Sequence, residues 1–383
     1  MVHSPQIEHV KIAVNTRLLI PNKLEGIGRF THESLQRLVQ SHPEHEFLFI
    51  FDREFDDQFI YGSNVTPTVV YPSARHPFLY YLWFEWRIPP VLRKNKVDLF
   101  LSPDGYLALN SEKKQLPVIH DINFEHYPKH IPVVSRKHYQ HYFPKYAQKA
   151  KRIATVSEFS KEDIAGQYHI DPNKIDVVHN GVSEVFHPVS ENEKKATKEK
   201  YTDGADYFVY IGAIQPRKNM TNMFKAFDAF KKANNNKTKL LIVGEKRWWT
   251  APIKEAFESM EHKSEVTFTQ RLFNDELNTV LASALCLIYV SYFEGFGLPI
   301  LEAFQCQTPV ITSNVTSMPE VAGEAAIFVS PFDIESIKEG MEKVSKNPSI
   351  RQKLIEKGKL QKENYSWDKT ADLLWQSVEK CFD

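Results

Sequence analysis

Short apolar runs bounded by turn residues alternate with stretches of helical spacing along this chain, and the pattern begins twice. In the first half Val10 to Leu19, Phe47 to Asp52, Val97 to Ser102, Pro117 to Asp121, Arg152 to Ser157 and Ile175 to His179 read as strands. A glycine turn and a helix from about Arg29 to Gln40 follow the first of them. Ser160 to Tyr168 has helical spacing that Asp171-Pro172 stops. The second half restarts with Tyr207 to Ile211, Lys239 to Val243, Val266 to Thr269, Cys286 to Val290, Val310 to Thr312 and Ala326 to Val329. Helices are expected at about Asn219 to Lys232, Asp275 to Ser283, Ile334 to Ser345, Ile350 to Asn364 and Trp367 to Cys381. Such alternation predicts a parallel sheet covered by helices on both faces, an α/β doubly wound fold, once in each half.

The length of 383 residues fits two such domains. The expected division is 1–183, a linker at 184–206, a second domain at 207–365 and a terminal helix at 366–383. The linker is inferred from the lysines and glutamates clustered between Glu191 and Lys200, which suit a solvated helix. Lysine plus arginine and aspartate plus glutamate number 48 each, so no global field draws in nucleic acid, and any anion site is local. Cys286, Cys306 and Cys381 have no metal-ligand spacing, and an odd, sparse count fits a reducing cytoplasm. Residues 1–10 lack an apolar signal core, and no run of about 18 apolar residues exists to span a membrane.

Within the second half, Glu294-Gly295-Phe296-Gly297-Leu298-Pro299-Ile300-Leu301-Glu302 follows a buried strand and leads into a helix. A glycine-bearing turn at that junction offers backbone N–H groups and a helix N-terminus to an anion. Glu294 is expected at the strand end and Glu302 in the first helical turn, where both carboxylates reach hydroxyls of a ligand whose phosphates lie on the turn. Arg217 and Lys218 follow the strand Tyr207 to Ile211 and precede a helix, a placement that suits a diphosphate. His120-Asp121 ends the strand begun at Pro117. Gly26-Ile27-Gly28-Arg29 follows the first strand; it is not a full dinucleotide fingerprint, but two glycines permit close backbone approach to a phosphate.

These motifs together resemble the retaining glycosyltransferases of family 4, the mannosyltransferase and glycogen-synthase group. The resemblance also rests on Thr308-Pro309-Val310-Ile311-Thr312-Ser313, Pro319-Glu320-Val321-Ala322-Gly323, Gly212 through Asn219, Val178 through Val182 and Thr155 through Ser160. It is strongest from about Lys151 to Asp333 and weak between Glu44 and Asn95. It implies a GT-B architecture, two Rossmann-like domains facing a central cleft, with the first on the acceptor side and the terminal helix crossing back onto it. It further implies that Arg217 and Lys218 bind and stabilise the leaving diphosphate. Glu294 then bonds donor-sugar hydroxyls and Glu302 the ribose, while backbone groups of Phe296, Gly297 and Leu298 touch sugar or phosphate. His120 lies near the reacting sugar, with Asp121 as a base or as its orienting partner. Gly26 and Gly28 cover the donor phosphates, and the nucleobase is read around Arg271 and Leu272.

The expected reaction is transfer of a hexose with retention, mannose from GDP-mannose first and glucose from UDP-glucose second, to a glycan or lipid-linked oligosaccharide. No cofactor and no metal are expected, because the two cations serve the diphosphate and no Asp-x-Asp pair is present. A sugar-nucleotide epimerase, a phosphorylase and a non-catalytic carbohydrate-binding homologue remain open alternatives.

Three further features stand out. Gln307 occupies a position where the resembled family commonly has glycine. Residues 75–96 combine Phe78, Tyr80, Tyr81, Trp83, Phe84 and Trp86 with five cations, which suits either a core helix with a basic end or peripheral contact with the inner face of a membrane. His126, His130, His138 and His141 lack zinc spacing and read as acceptor-side surface.

Overall fold

The computed structural model describes residues 8–24, 26–234, 236–246 and 248–383. Most of the stretch 1–10 therefore lies outside the described residues. The chain forms two compact units, one of Met1–Gly181 with Trp367–Asp383 and one of Val182–Ser366.

In the first unit the strands are β1 (Lys11–Asn15), β2 (Glu46–Phe51), β3 (Val65–Val69), β4 (Leu99–Ser102), β5 (Lys114–Pro117), β6 (Ile153–Thr155) and β7 (Ile175–Val177). They form a parallel sheet in the order β3-β2-β1-β4-β5 and a separate pair β6-β7. A bridge from Val118 to Ala154 links β5 to that pair. Ile12, Ala13, Val14 and the run Phe47–Phe51 are almost wholly buried, as expected for strands covered on both faces. β3 has no counterpart in the sequence reading. Its Pro67 and its half-exposed residues hide the strand pattern, and it is tolerated because β3 is an edge strand.

The second unit contains β8 (Tyr207–Ile211), β9 (Lys239–Val243), β10 (Val266–Thr269), β11 (Cys286–Tyr289), β12 (Val310–Ser313) and β13 (Ala326–Val329). All pair in parallel in the order β10-β9-β8-β11-β12-β13. Strand order reverses between β8 and β11, and between β1 and β4 in the first unit. At such switch points the loops beyond the strand C-termini diverge and leave a crevice for a ligand.

The stretch expected as a linker belongs to the second unit. Ser190 and Glu193 form a reciprocal capping box that starts the helix Glu191–Thr202, and Thr197 and Thr202 are buried against the unit. The helix Trp367–Glu379 lies within the first unit beside the helix Gly26–Ser41. Trp375 stacks on His42 at 3.6 Å, and Thr370 Oγ1 donates to the His179 carbonyl at 2.6 Å.

Gln307 has φ +57°, a left-handed conformation after the helix Leu298–Gln305 that glycine adopts at least cost. This accounts for glycine being the common choice there. The three cysteines are free and buried.

Candidate active site

Tyr207–Ile211 is buried along its whole length, so the chain emerges from β8 at a fixed point. It then runs through Gly212 to a short turn, Pro216–Lys218, which places Arg217 and Lys218 just before the helix Met220–Ala233. Asn219 makes the corner at φ +61° and is pinned by its side-chain amide, which donates to the carbonyls of Val290 and Pro331 at 2.9 and 2.7 Å.

On the other side of the switch point, β11 ends at Tyr289 and the chain continues to Glu294. Gly297, at φ +116°, caps the helix Leu298–Gln305 in a conformation open to glycine. The turn is braced from the next loop. Ser317 Oγ lies 2.8 Å from the carbonyls of both Glu294 and Phe296, and the Glu294 N–H donates to Thr316 Oγ1 at 3.3 Å. Phe296 packs edge-on against Tyr365.

The two loops meet through charge. Arg217 Nη1 donates to Glu294 Oε2 at 2.7 Å and to the Phe293 carbonyl at 2.5 Å. Lys218 Nζ donates to Glu294 Oε1 at 2.6 Å and to the Tyr289 hydroxyl at 2.8 Å. Burial works to raise the Glu294 carboxyl pKa, but the two cations overcome it and hold it at about 2. The cluster carries one net positive charge in a nearly dry place, which favours a further anion. Tyr289 was not singled out from the sequence, because a tyrosine closing an apolar run looks like any buried strand residue.

Glu302 is not in the first helical turn. The helix starts at Leu298, so Glu302 is its fifth residue, on the same face as Leu298 one turn earlier. Arg271 and Leu272 lie half-buried in the loop after β10, where the Arg271 guanidinium sits 4.7 Å from the centre of the Phe273 ring.

The remaining sites fall in the first unit. His120 follows β5, and its Nε2 is 2.8 Å from the Pro103 carbonyl. A carbonyl only accepts, so Nε2 carries the proton and Nδ1 is left as an acceptor in the neutral ring. Burial lowers the His120 pKa, which keeps the ring neutral near pH 7. Pro103 thus orients His120, not Asp121. The Asp121 carboxylate instead accepts from the backbone and side-chain amides of Asn123, closing the turn into the helix Asn123–His126.

Gly26 and Gly28 lie inside the first turn of the helix Gly26–Ser41, not in a loop before it. A side chain at Gly28 would come within 2.9 Å of the Leu18 carbonyl, whereas Gly26 faces open space. The close backbone approach at Gly28 is therefore made to its own chain.

Of the four histidines read as surface, His138 is buried among Tyr80, Tyr106 and Tyr142, and burial lowers its pKa to about 4. Elsewhere His42, Glu44 and His45 converge as potential metal ligands. His45 Nδ1 accepts the Val10 N–H, so the neutral ring keeps its proton on Nε2, the nitrogen that would face an ion. That tautomer does not fit a ligand set.

A sequence profile for Glycosyltransferase Family 4 matches residues 24–185, and one for Glycosyl transferases group 1 matches residues 191–361. The chain belongs to the family 4 type of glycosyltransferases. O-antigen chain mannosyltransferase B of Escherichia coli is 27% identical over 90% of this chain and 93% of its own length. O-antigen chain mannosyltransferase RfbU of Salmonella typhimurium is 28% identical over 74% of this chain and 76% of its own. Anabaena HepE in complex with UDP-glucose superposes with a TM-score of 0.74 at 12% identity, covering 97% of this chain and 99% of that one. This glycosyltransferase therefore has the two Rossmann-like units of the GT-B fold.

Proposed function

We propose that this glycosyltransferase transfers mannose from GDP-mannose, with UDP-glucose as the second choice of donor, to a glycan or lipid-linked saccharide, with retention at the anomeric carbon. The observation that carries the reading is the cluster of Arg217, Lys218 and Glu294 at the β8–β11 switch point. Arg217 and Lys218 bind the diphosphate and neutralise the charge that develops as it leaves, an effect of several kcal/mol in a dry site. Glu294 turns to the sugar hydroxyls and Glu302 to the ribose.

A carboxyl held near 2 is a weak base and a weak nucleophile, which supports a path without a covalent enzyme intermediate. The bond from the anomeric carbon to the phosphate oxygen breaks while the bond to the acceptor oxygen forms on the same face. The acceptor proton passes to the departing phosphate. Two cations at the leaving group support transfer without a metal. The choice of mannose draws on the mannosyltransferase relatives, and the choice of acceptor on their O-antigen names.

A thermal-shift screen against GDP-, UDP- and ADP-sugars tests the donor. A ligand at 100 times its dissociation constant adds about 2.7 kcal/mol, so the matching nucleotide sugar raises the melting temperature by several degrees. GDP-mannose is expected to give the largest shift. A larger shift with a UDP- or ADP-sugar refutes the first choice of donor.

A further inference from the structure

A loop at the end of a strand ordinarily lies in solvent, because buried backbone polar groups need partners. The loop after β4 departs from this, since residues 103–108 are all buried. It opens with a turn in which the Gly105 N–H donates to the Ser102 carbonyl at 3.2 Å, with Gly105 at φ +85°. Its far end is closed by Gln115, whose side chain bonds the N–H and the carbonyl of Ala108 at 2.9 and 2.8 Å. Between these ends the loop is held through the side chain of Asp104.

Both carboxylate oxygens of Asp104 are engaged. Oδ1 accepts from Asn15 Nδ2 at 2.8 Å, from Ser102 Oγ at 3.1 Å and from the Tyr106 N–H at 3.3 Å. Oδ2 accepts from Arg17 Nε at 2.5 Å. Arg17 is itself fixed. Its guanidinium lies 4.8 and 4.7 Å from the centres of the Tyr80 and Tyr106 rings, and Nη1 donates to the Ala74 carbonyl at 3.0 Å. Asn15 ends β1 and Arg17 follows two residues later, so the clamp spans the switch point between β1 and β4. A buried ion pair offsets little more than its own desolvation, so stability alone does not account for it.

The carbonyl of Pro103 and the N–H of Asp104 belong to one peptide plane. Fixing Asp104 therefore fixes the direction of that carbonyl, which accepts the His120 Nε2 proton across 2.8 Å. Phe30 steadies the imidazole ring edge-on at 5.0 Å. Nδ1 of the ring has no partner among the described residues.

We propose that Asp104, clamped by Asn15 and Arg17, is a positioning residue that holds the Pro103 carbonyl on His120 Nε2 and so presents Nδ1 as an acceptor to a substrate hydroxyl. It rests on the proposed function only for that hydroxyl. The ring geometry is measured without substrate, so this proposal and the donor reading fail separately. Asparagine matches the shape of aspartate but has one acceptor oxygen. In D104N an amide NH2 group must face either Arg17 or the three donors around Oδ1. The turn should shift and release the ring.

Proton–nitrogen correlation spectra of the full chain, labelled with 15N at histidine, test this, with the His120 signal assigned by its absence in H120Q. The parent should show a ring N–H on Nε2 that is protected from exchange with water. In D104N that proton should exchange about tenfold faster or disappear. F100L opens a cavity in β4 but leaves the bonding groups of Asp104 unaltered, so it should lower the melting temperature and keep the signal. N15A removes one donor and should give a smaller change in the same direction, a test that stands even if D104N does not fold. A parent proton on Nδ1, an unprotected parent N–H, or protection unchanged in D104N or N15A overturns the proposal. So does an F100L signal lost as fully as that of D104N.

Discussion

Replacing Glu294 with glutamine should tighten the binding of a free nucleoside diphosphate while lowering turnover by about 100-fold or more. The two effects have opposite signs because the Glu294 carboxylate bonds both Arg217 and Lys218, the groups assigned to phosphate. Donor binding must compete with that internal ion cluster. Glutamine keeps the shape but removes the competing charge, so the diphosphate meets two freer cations. Turnover falls because a neutral amide grips the sugar hydroxyls less well than a carboxylate. The ligand-free variant should also melt lower, since two partly buried cations lose their counter-charge, and the diphosphate should restore much of the difference. Binding constants and single-turnover rates measured on the same preparation separate the effects. Weaker diphosphate binding in the glutamine variant contradicts the assignment.

The acid limb follows from the same cluster. The folded-state pKa of Glu294 lies below its ordinary value of 4.5, so its contribution to stability is fully present above about pH 4.5. It is lost progressively as pH falls toward 2.

The second large effect comes from a residue that touches no ligand. Gly244 follows β9 at φ +150°, and a side-chain carbon there would lie 2.0 Å from the Gly212 carbonyl oxygen and 2.8 Å from its carbon. Both atoms are backbone, so nothing flexible can yield. G244A should destabilise the unit by about 3 kcal/mol, combining overpacking with an unfavourable φ. Gly212 begins the loop to Arg217, so the variant should also lose nucleotide affinity. G166A, within the helix Glu158–Tyr168, faces open space and serves as the contrast, with little effect on either measurement. Denaturant melts and nucleotide titrations of both variants check this. A G244A protein as stable as the parent would contradict the packing account.

Fold and site differ in how far the sequence reveals them. The strands of the second unit are legible nearly to the residue because Tyr207–Ile211, residues 240–243 and Cys286–Tyr289 are continuous apolar runs sealed on both faces. β3 is not legible, because its edge position tolerates Pro67 and polar residues. Neither is the π-turn at Trp83–Arg87, which leaves no mark in composition. The site motifs stand out because glycines and charges at strand ends have few structural reasons to be there. Their supports do not: Tyr289, Thr316 and Ser317 act through ordinary hydroxyls placed by loops whose course depends on the rest of the fold. Asp121 shows the converse, since a carboxylate next to a candidate histidine accepts from the amides of Asn123 within a turn.

The role proposed for Arg217 and Lys218 on the loop after β8 is to hold the diphosphate of an activated sugar. Comparing the affinity of guanosine with that of GDP, in the parent chain and in K218A, tests it most directly. The parent should bind GDP far more tightly than guanosine, and K218A should lose most of that advantage while its affinity for guanosine stays the same. An advantage of GDP over guanosine that survives the substitution unchanged would contradict the account.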